Sequence, residues 1–143
     1  MKLREIMTRQ VVRIHPEESV SVAARMLEHY NIGMLPVCDG RGHVCGLVTD
    51  RDLVTRCLAA GRSPVNTAVR DVMTAKVISA CPDLDGTVAA GLMGKEQIRR
   101  LPVVENGRLC GMVSLGDLAT QQETSLDAGD ALSDISSSLS SRK

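Results

Sequence analysis

Arg4-Glu5-Ile6-Met7-Thr8 recurs as Arg70-Asp71-Val72-Met73-Thr74, and this echo decides the fold. The same offset superposes Val11 on Val77, Pro16 on Pro82, Val22-Ala23-Ala24 on Val88-Ala89-Ala90 and Ile32 on Ile98. It also carries Leu35-Pro36-Val37 onto Leu101-Pro102-Val103. One residue is lost in the turn that follows, after which Cys45-Gly46 falls on Cys110-Gly111 and Asp52-Leu53 on Asp117-Leu118. Two copies of one unit are present, and such self-similarity organises every later step of the reading.

Within each copy the apolar period changes in a fixed order. Val11 to Ile14, closed by Pro16, and Val77 to Ala80, closed by Pro82, read as short opening strands. Val20, Ala23, Ala24 and Leu27 then recur at helical spacing behind Glu17, Glu18 and Ser19, residues that suit a helix N-terminus. Met34 to Cys38 and Val44 to Val48 flank Asp39-Gly40-Arg41-Gly42-His43, a hairpin connection. Leu101 to Val104 and Leu109 to Val113 flank Glu105-Asn106-Gly107-Arg108 in the same way. Second helices begin near Asp50 and Leu115. The pattern is β-α-β-β-α twice, an α+β class. Since neither copy buries both faces of its sheet, the two are expected to pack sheet to sheet, with pseudo-two-fold symmetry and the helices outside. The organisation predicted is 1–62 for the first repeat, 63–69 for a linker, 70–121 for the second repeat and 122–143 for a polar, Ser-rich tail. In that tail Ala128, Ala131, Leu132, Ile135 and Leu139 keep a spacing that predicts a short amphipathic helix, docked on the body or on a partner chain.

Composition narrows the function. The 143 residues carry 17 Lys and Arg against 17 Asp and Glu, so no basic field attracts nucleic acid or anionic lipid. Phe and Trp are absent and Tyr30 is the only aromatic residue, which disfavours base-stacking platforms and makes the core aliphatic. No apolar run reaches the length of a membrane span, and Met1 to Met7 lacks a secretory signal's apolar stretch, so a cytoplasmic location is expected. Cys38, Cys45, Cys57, Cys81 and Cys110 show no C-x-x-C spacing and read as reduced core thiols. His15, His29 and His43 share no metal-ligand or dyad spacing and read as surface residues, so no metal site is expected.

Gly46-Leu47-Val48-Thr49-Asp50-Arg51-Asp52 and Gly111-Met112-Val113-Ser114-Leu115-Gly116-Asp117 complete the picture. With the doubled unit and the Leu-Pro-Val strands, they resemble cystathionine-β-synthase (CBS) domains over about Leu3 to Thr120, in the arrangement of a stand-alone bacterial CBS pair or Bateman module. The resemblance implies intramolecular pairing of the repeats, frequent dimers, and an adenosine ligand such as AMP, ADP, ATP or S-adenosylmethionine held as a regulatory ligand, with no cofactor required. The residues agree with that ligand class. A strand end that leads into a helix start favours phosphate. Thr49 or Ser114 adds a hydroxyl, and Asp52 or Asp117 can accept from both ribose hydroxyls.

In the family each cleft joins the Thr/Ser-x-x-Asp segment of one repeat to the opening strand and pre-proline residues of the other. Carried over, the favoured cleft uses Asp117, Ser114, Gly116 and Arg100 with Thr8, Val12, Ile32 and Gly33. The second uses Asp52, Thr49 and Arg51 with Thr74, Ile78, Ile98 and Arg99. Met34 stands there in the place of Arg100, which makes this cleft the weaker one. Simpler roles exist for these residues. Asp52 and Asp117 could serve their own helix N-termini, Thr8 and Thr74 could be caps, and Arg99 and Arg100 could be solvated. No nucleophile pairs with a base and no phosphate loop carries its Lys, so catalysis is not expected. The competing functions are a ligand-free dimerisation or docking module and a thiol-responsive protein built on Cys38, Cys45 and Cys110. A homodimer is expected, with apolar helix positions Leu53, Val54, Leu58, Leu92, Met93 and Leu118 as its surface. A downstream protein target is expected too.

Overall fold

The computed structural model describes residues 1–121 and 124–141, apart from the side chains of 138–141. The elements follow the doubled pattern. In the first repeat α1 spans Val20–Tyr30, β1 Met34–Cys38 and β2 Val44–Thr49, and α2 spans Asp50–Asp52. Helix α2 continues directly into a π-helical turn, Leu53–Leu58, where Ala59 N donates to Val54 O at 2.8 Å. In the second repeat α3 spans Gly86–Glu96, β3 Arg100–Glu105, β4 Arg108–Ser114 and α4 Leu115–Ala119. Helix α5, Ser125–Ser141, follows. Short 3-10 turns at Leu3–Glu5 and Val69–Asp71 lead into the two repeats.

The helix boundaries have local causes. Ser19 accepts from Val22 N at 3.2 Å to cap α1, and Asp85 accepts from Thr87 N at 3.0 Å to cap α3. Both helices end on a residue in the left-handed region, Asn31 at φ 53° and Gln97 at φ 57°. The next residues, Ile32 and Ile98, donate back to Leu27 O and Met93 O at 3.0 Å, which fixes how the chain enters β1 and β3. In the second hairpin Asn106 and Gly107 both hold positive φ, as a two-residue turn between twisted strands requires.

Contacts gather the chain into two compact units. One comprises Val12–Val77, the other Met1–Val11 together with Ile78–Lys143. The first contains the antiparallel pair β1·β2 and the second the pair β3·β4. The predicted opening strands are reduced to single bridged residues, Ile14 parallel to Val37 and Ala80 parallel to Val103. The prolines that follow close off further pairing. The opposite edge of each hairpin is met by a leader threonine. Thr74 pairs with Leu47 and Thr8 pairs with Met112, each through two backbone hydrogen bonds of 2.7–2.9 Å. Each hairpin is thus flanked by the leader of the other repeat, a segment exchange that repeat alignment alone does not reveal.

Both cores are aliphatic. Ile14, Val20, Ala23, Leu27, Leu35, Val37 and Val48 fill one, and Leu3, Met93, Leu101, Val103, Val113 and Leu118 fill the other. Burying each such Leu, Val or Met contributes about 1.5–3 kcal/mol. Helix α5 adds Ala128, Ala131 and Ile135 to the second core and packs against α3 and α4. It approaches α3 closely because α3 carries glycines there. A Cβ at Gly94 would lie 3.1 Å from Ala131 Cα, and one at Gly86 would lie 2.9 Å from Thr124 Cγ2. The tail therefore forms a longer helix than its composition predicts. Leu132 is only half buried, and the side chain of Leu139 lies outside the described residues.

Two expectations need correction. Met93 and Leu118, assigned to a dimer surface, are fully buried, because α5 completes the core around them. Cys81 is exposed rather than a core thiol, while Cys38 and Cys57 are buried and all five cysteines are free. Among the described residues no helix is long and apolar enough to cross a membrane.

Candidate functional site

Each Thr/Ser-x-x-Asp segment folds into a reciprocal cap at a strand-to-helix junction. Ser114 N donates to Asp117 Oδ2 at 2.8 Å and Asp117 N donates to Ser114 Oγ at 3.0 Å. Thr49 N donates to Asp52 Oδ2 and Asp52 N to Thr49 Oγ1, both at 3.1 Å. The simpler role weighed for these aspartates is thus real, since each serves its own helix start. It is also partial. The cap around Asp117 uses one carboxylate oxygen, Oδ2, and leaves Oδ1 outside the box.

The two junctions differ in what else they satisfy. Asp52 is only 6% exposed, and Thr74 Oγ1 lies 3.3 Å from both of its carboxylate oxygens, with Arg56 Nε 3.6 Å from Oδ1. The amides of that turn are committed as well. Asp50 N donates to Gly33 O at 3.1 Å and Arg51 N to Asp50 Oδ1 at 2.8 Å. At the other junction Leu115 N donates to Arg99 O at 2.8 Å, and Leu115 offers no carboxylate to the amide of Gly116. The Asp117 junction is therefore half-buried, less engaged within the protein, and free of the extra negative charge that Asp50 brings.

The motif glycines answer to the chain itself. A Cβ at Gly46 would lie 2.7 Å from Thr74 O and 2.9 Å from Met73 Sδ. One at Gly111 would lie 2.8 Å from Thr8 O and 2.7 Å from Met7 Sδ. The close approach these glycines permit is that of the bridging leader strands, which also explains why Thr8 and Thr74 are extended pairing residues rather than caps.

The unit that contains Asp117 also holds a cavity of about 500 Å³, bordered by Arg99, Arg100, Ser114, Leu115 and Gly116, by Ala119 of α4, and by Ser125, Ala128, Gly129 and Leu132 of α5. Arg99, expected in the second set, lines the same cavity as Arg100. No acidic partner to either guanidinium occurs among the described residues. Of the remaining expected residues, Thr8, Ile78 and Ile98 belong to this unit, and Val12, Ile32, Gly33, Thr49, Arg51, Asp52 and Thr74 belong to the other. The α5 wall was not among the expected site residues. Its only sequence signal is the Ala128, Ala131, Leu132, Ile135 spacing.

Of the thiol candidates, Cys38 and Cys45 share one unit and Cys110 belongs to the other. Burial pushes the Cys38 thiol above its ordinary range, which lowers the reactive thiolate fraction. His43 Nδ1 lies 3.5 Å from Asp39, and His29 stacks edge-on against Tyr30. Among the described residues no group of three or more His, Cys, Asp or Glu is arranged to hold a metal ion.

This doubled unit, with its paired caps, belongs to the CBS domain family, whose profile matches residues 3–59 and 69–123. A relative, the CBS domain-containing protein YhcV of Bacillus subtilis, is 39% identical over 134 residues, spanning 94% of this chain and 94% of that protein. Among solved structures, Hypoxic Response Protein I with two coordinated zinc ions is 29% identical, with a TM-score of 0.76 over 83% of this chain and 97% of that one. The CBS domain pair of protein MJ0100, in complex with 5-methylthioadenosine and S-adenosyl-L-methionine, is 28% identical. Its TM-score is 0.71 over 83% of this chain and 93% of that one.

Proposed function

We propose that this chain is a non-catalytic, cytoplasmic regulatory module that binds an adenosine ligand, AMP, ADP, ATP or S-adenosylmethionine, and passes its occupancy to another protein. The favoured site takes Asp117, Ser114, Gly116, Arg100 and Thr8, all of one unit. Asp52, Thr49, Arg51 and Thr74, of the other unit, form the weaker site. The observation that carries this reading is the Asp117 junction. There a carboxylate oxygen outside the cap, the Ser114 hydroxyl proton and the Arg100 guanidinium share one unit, matched to the acceptor, donor and charge needs of ribose and phosphate. The adenosine ligands of the MJ0100 pair support the same class.

Calorimetric titration with AMP, ADP, ATP and S-adenosylmethionine tests it. Saturable binding of at least one of them, lost in Asp117→Asn, is expected, as is a thermal shift equivalent to about 2.7 kcal/mol at a hundredfold excess over Kd. No binding by any of the four would leave a ligand-free docking module as the reading. Phosphate release from ATP above background, abolished in Asp117→Asn, would overturn the non-catalytic assignment.

A further inference from the structure

We propose that Arg56 is a built-in plug of the Asp52 junction: its guanidinium stands against the carboxylate that would otherwise accept a ribose, and so holds the first repeat shut as a ligand site. This rests on the nucleotide reading above. Arg56 lies on the π-helical turn, four residues past Asp52. Its Nη1 donates to Met73 O at 3.0 Å and lies 3.5 Å from Val72 O, both on the leader that carries Thr74. Held there, its Nε lies 3.6 Å from Asp52 Oδ1. Thr49 N donates to Oδ2, and the Thr74 hydroxyl stands 3.3 Å from both carboxylate oxygens. All of these residues belong to one unit, so the plug is complete within it. A carboxylate binds a ribose by accepting from two hydroxyls, and here each new bond must displace a partner already in place. The guanidinium is the hardest to displace, because its charge answers that of a carboxylate only 6% exposed. With 52% of its own side chain in solvent, Arg56 covers the junction without being part of the core. The second repeat supplies the contrast. The position of Arg56 is taken there by Gln121, a shorter and uncharged side chain. Asp117 has its cap with Ser114 and, among the described residues, no ion pair. The two aspartates are equal in motif and unequal in what stands four residues on.

Exchanging the two residues gives a direct test. Calorimetry with AMP, ADP, ATP and S-adenosylmethionine is run on the full chain as wild type, Arg56→Gln, Gln121→Arg, and Arg56→Gln combined with Asp52→Asn, with a melting curve for each. Wild type is expected to show one strong site per chain. Arg56→Gln is expected to strengthen the first-repeat site at least about tenfold, the size of one charge-assisted contact, so that the titration reads two sites. Adding Asp52→Asn returns it to one. Gln121→Arg is expected to weaken the wild-type site at least about tenfold. A merely structural Arg56 would give a lower melting temperature in Arg56→Gln with the stoichiometry still at one, and that result overturns the proposal. Two equal sites in wild type, or Gln121→Arg at wild-type affinity, overturn it as well. If Arg56→Gln fails to fold, Gln121→Arg decides alone. If wild type binds none of the four ligands, the reading of Asp117 fails, and Arg56→Gln separates that failure from this one: a single gained site sustains the plug, and none ends it.

Discussion

Ser114 and Asp117 hold each other in place: the amide of each donates to the side chain of the other, at 2.8 and 3.0 Å. A loss of binding on changing Asp117 therefore mixes two effects unless the cap is kept. Asp117→Ala is expected to cost about 0.5–2 kcal/mol of stability, the usual value of a cap, along with ligand affinity. Asp117→Asn keeps an acceptor for Ser114 N, so it is expected to retain most of the stability yet lose binding. At Asp52 the order reverses, because Thr74 and Arg56 add to the cap and the carboxylate is buried. Asp52→Ala is expected to destabilise more than Asp117→Ala and to change affinity less. Urea midpoints and calorimetry on the three variants check the ranking.

Gly111 and Thr8 make a second pair whose separation is fixed by backbone. With Thr8 O 2.8 Å from any Cβ added at Gly111, Gly111→Ala must push the leader strand outward or bend β4. Overpacking of this kind costs about 1–3 kcal/mol, and Gly46→Ala against Thr74 O is expected to match it. Equal melting temperatures for wild type and both variants would show that the leaders are not held in these bridges.

How much of this was legible in the sequence depended on what a repeat can express. Equivalence was readable: the helices, the two hairpins and both Thr/Ser-x-x-Asp junctions stand where the repeated residues place them. Partnership was not. Aligning Thr8 with Thr74 says that they play one role, but it does not say that each flanks the hairpin of the other repeat. Val11 to Ile14 and Val77 to Ala80 have strand composition, yet each contributes one bridged residue, because strand length is set by what lies alongside. The α5 wall was half visible. Its apolar spacing was readable, but its seat depends on Gly86 and Gly94, which in the sequence look like weak points of α3.

Leu58 and Val54 remain exposed, at 67% and 53%, on the π-helical turn of the first repeat, whereas α5 covers the equivalent region of the second. A homodimer, if it uses helix faces, is expected to form through the first repeat. Leu58→Asp is expected to convert dimer to monomer in light scattering at micromolar concentration, while Leu132→Asp on α5 leaves the mass unchanged. A wild-type monomer, or a dimer lost only in the α5 variant, would refute the assignment.

Acid sensitivity follows from three carboxylates held below their ordinary range. Asp39 is lowered chiefly by the His43 amide and then the Arg41 amide, at 3.0 and 2.9 Å. Asp85 is lowered by the Thr87 amide at the start of α3, and Asp83 by the Arg4 guanidinium, 2.6–2.8 Å away. A carboxylate whose folded value is depressed stabilises the fold above its unfolded value, about 3.9, and loses that contribution as pH falls through the folded value. Stability is therefore expected to stay level in this respect from neutral pH down to about 5 and to decline below about 4. Salt separates the causes. The Arg4–Asp83 pair is exposed and screened, so its share is expected to shrink in about 1 M salt, where the Debye length is about 3 Å. The amide bonds to Asp39 and Asp85 are short-range and should persist. In urea titrations from pH 7 to 2.5, Asp83→Asn is expected to flatten the acid decline at low salt and to do so less at high salt. Asp39→Asn is expected to flatten it equally at both. A decline that starts near pH 6, or one that both Asn variants leave unchanged, would place the acid-labile groups elsewhere in the chain.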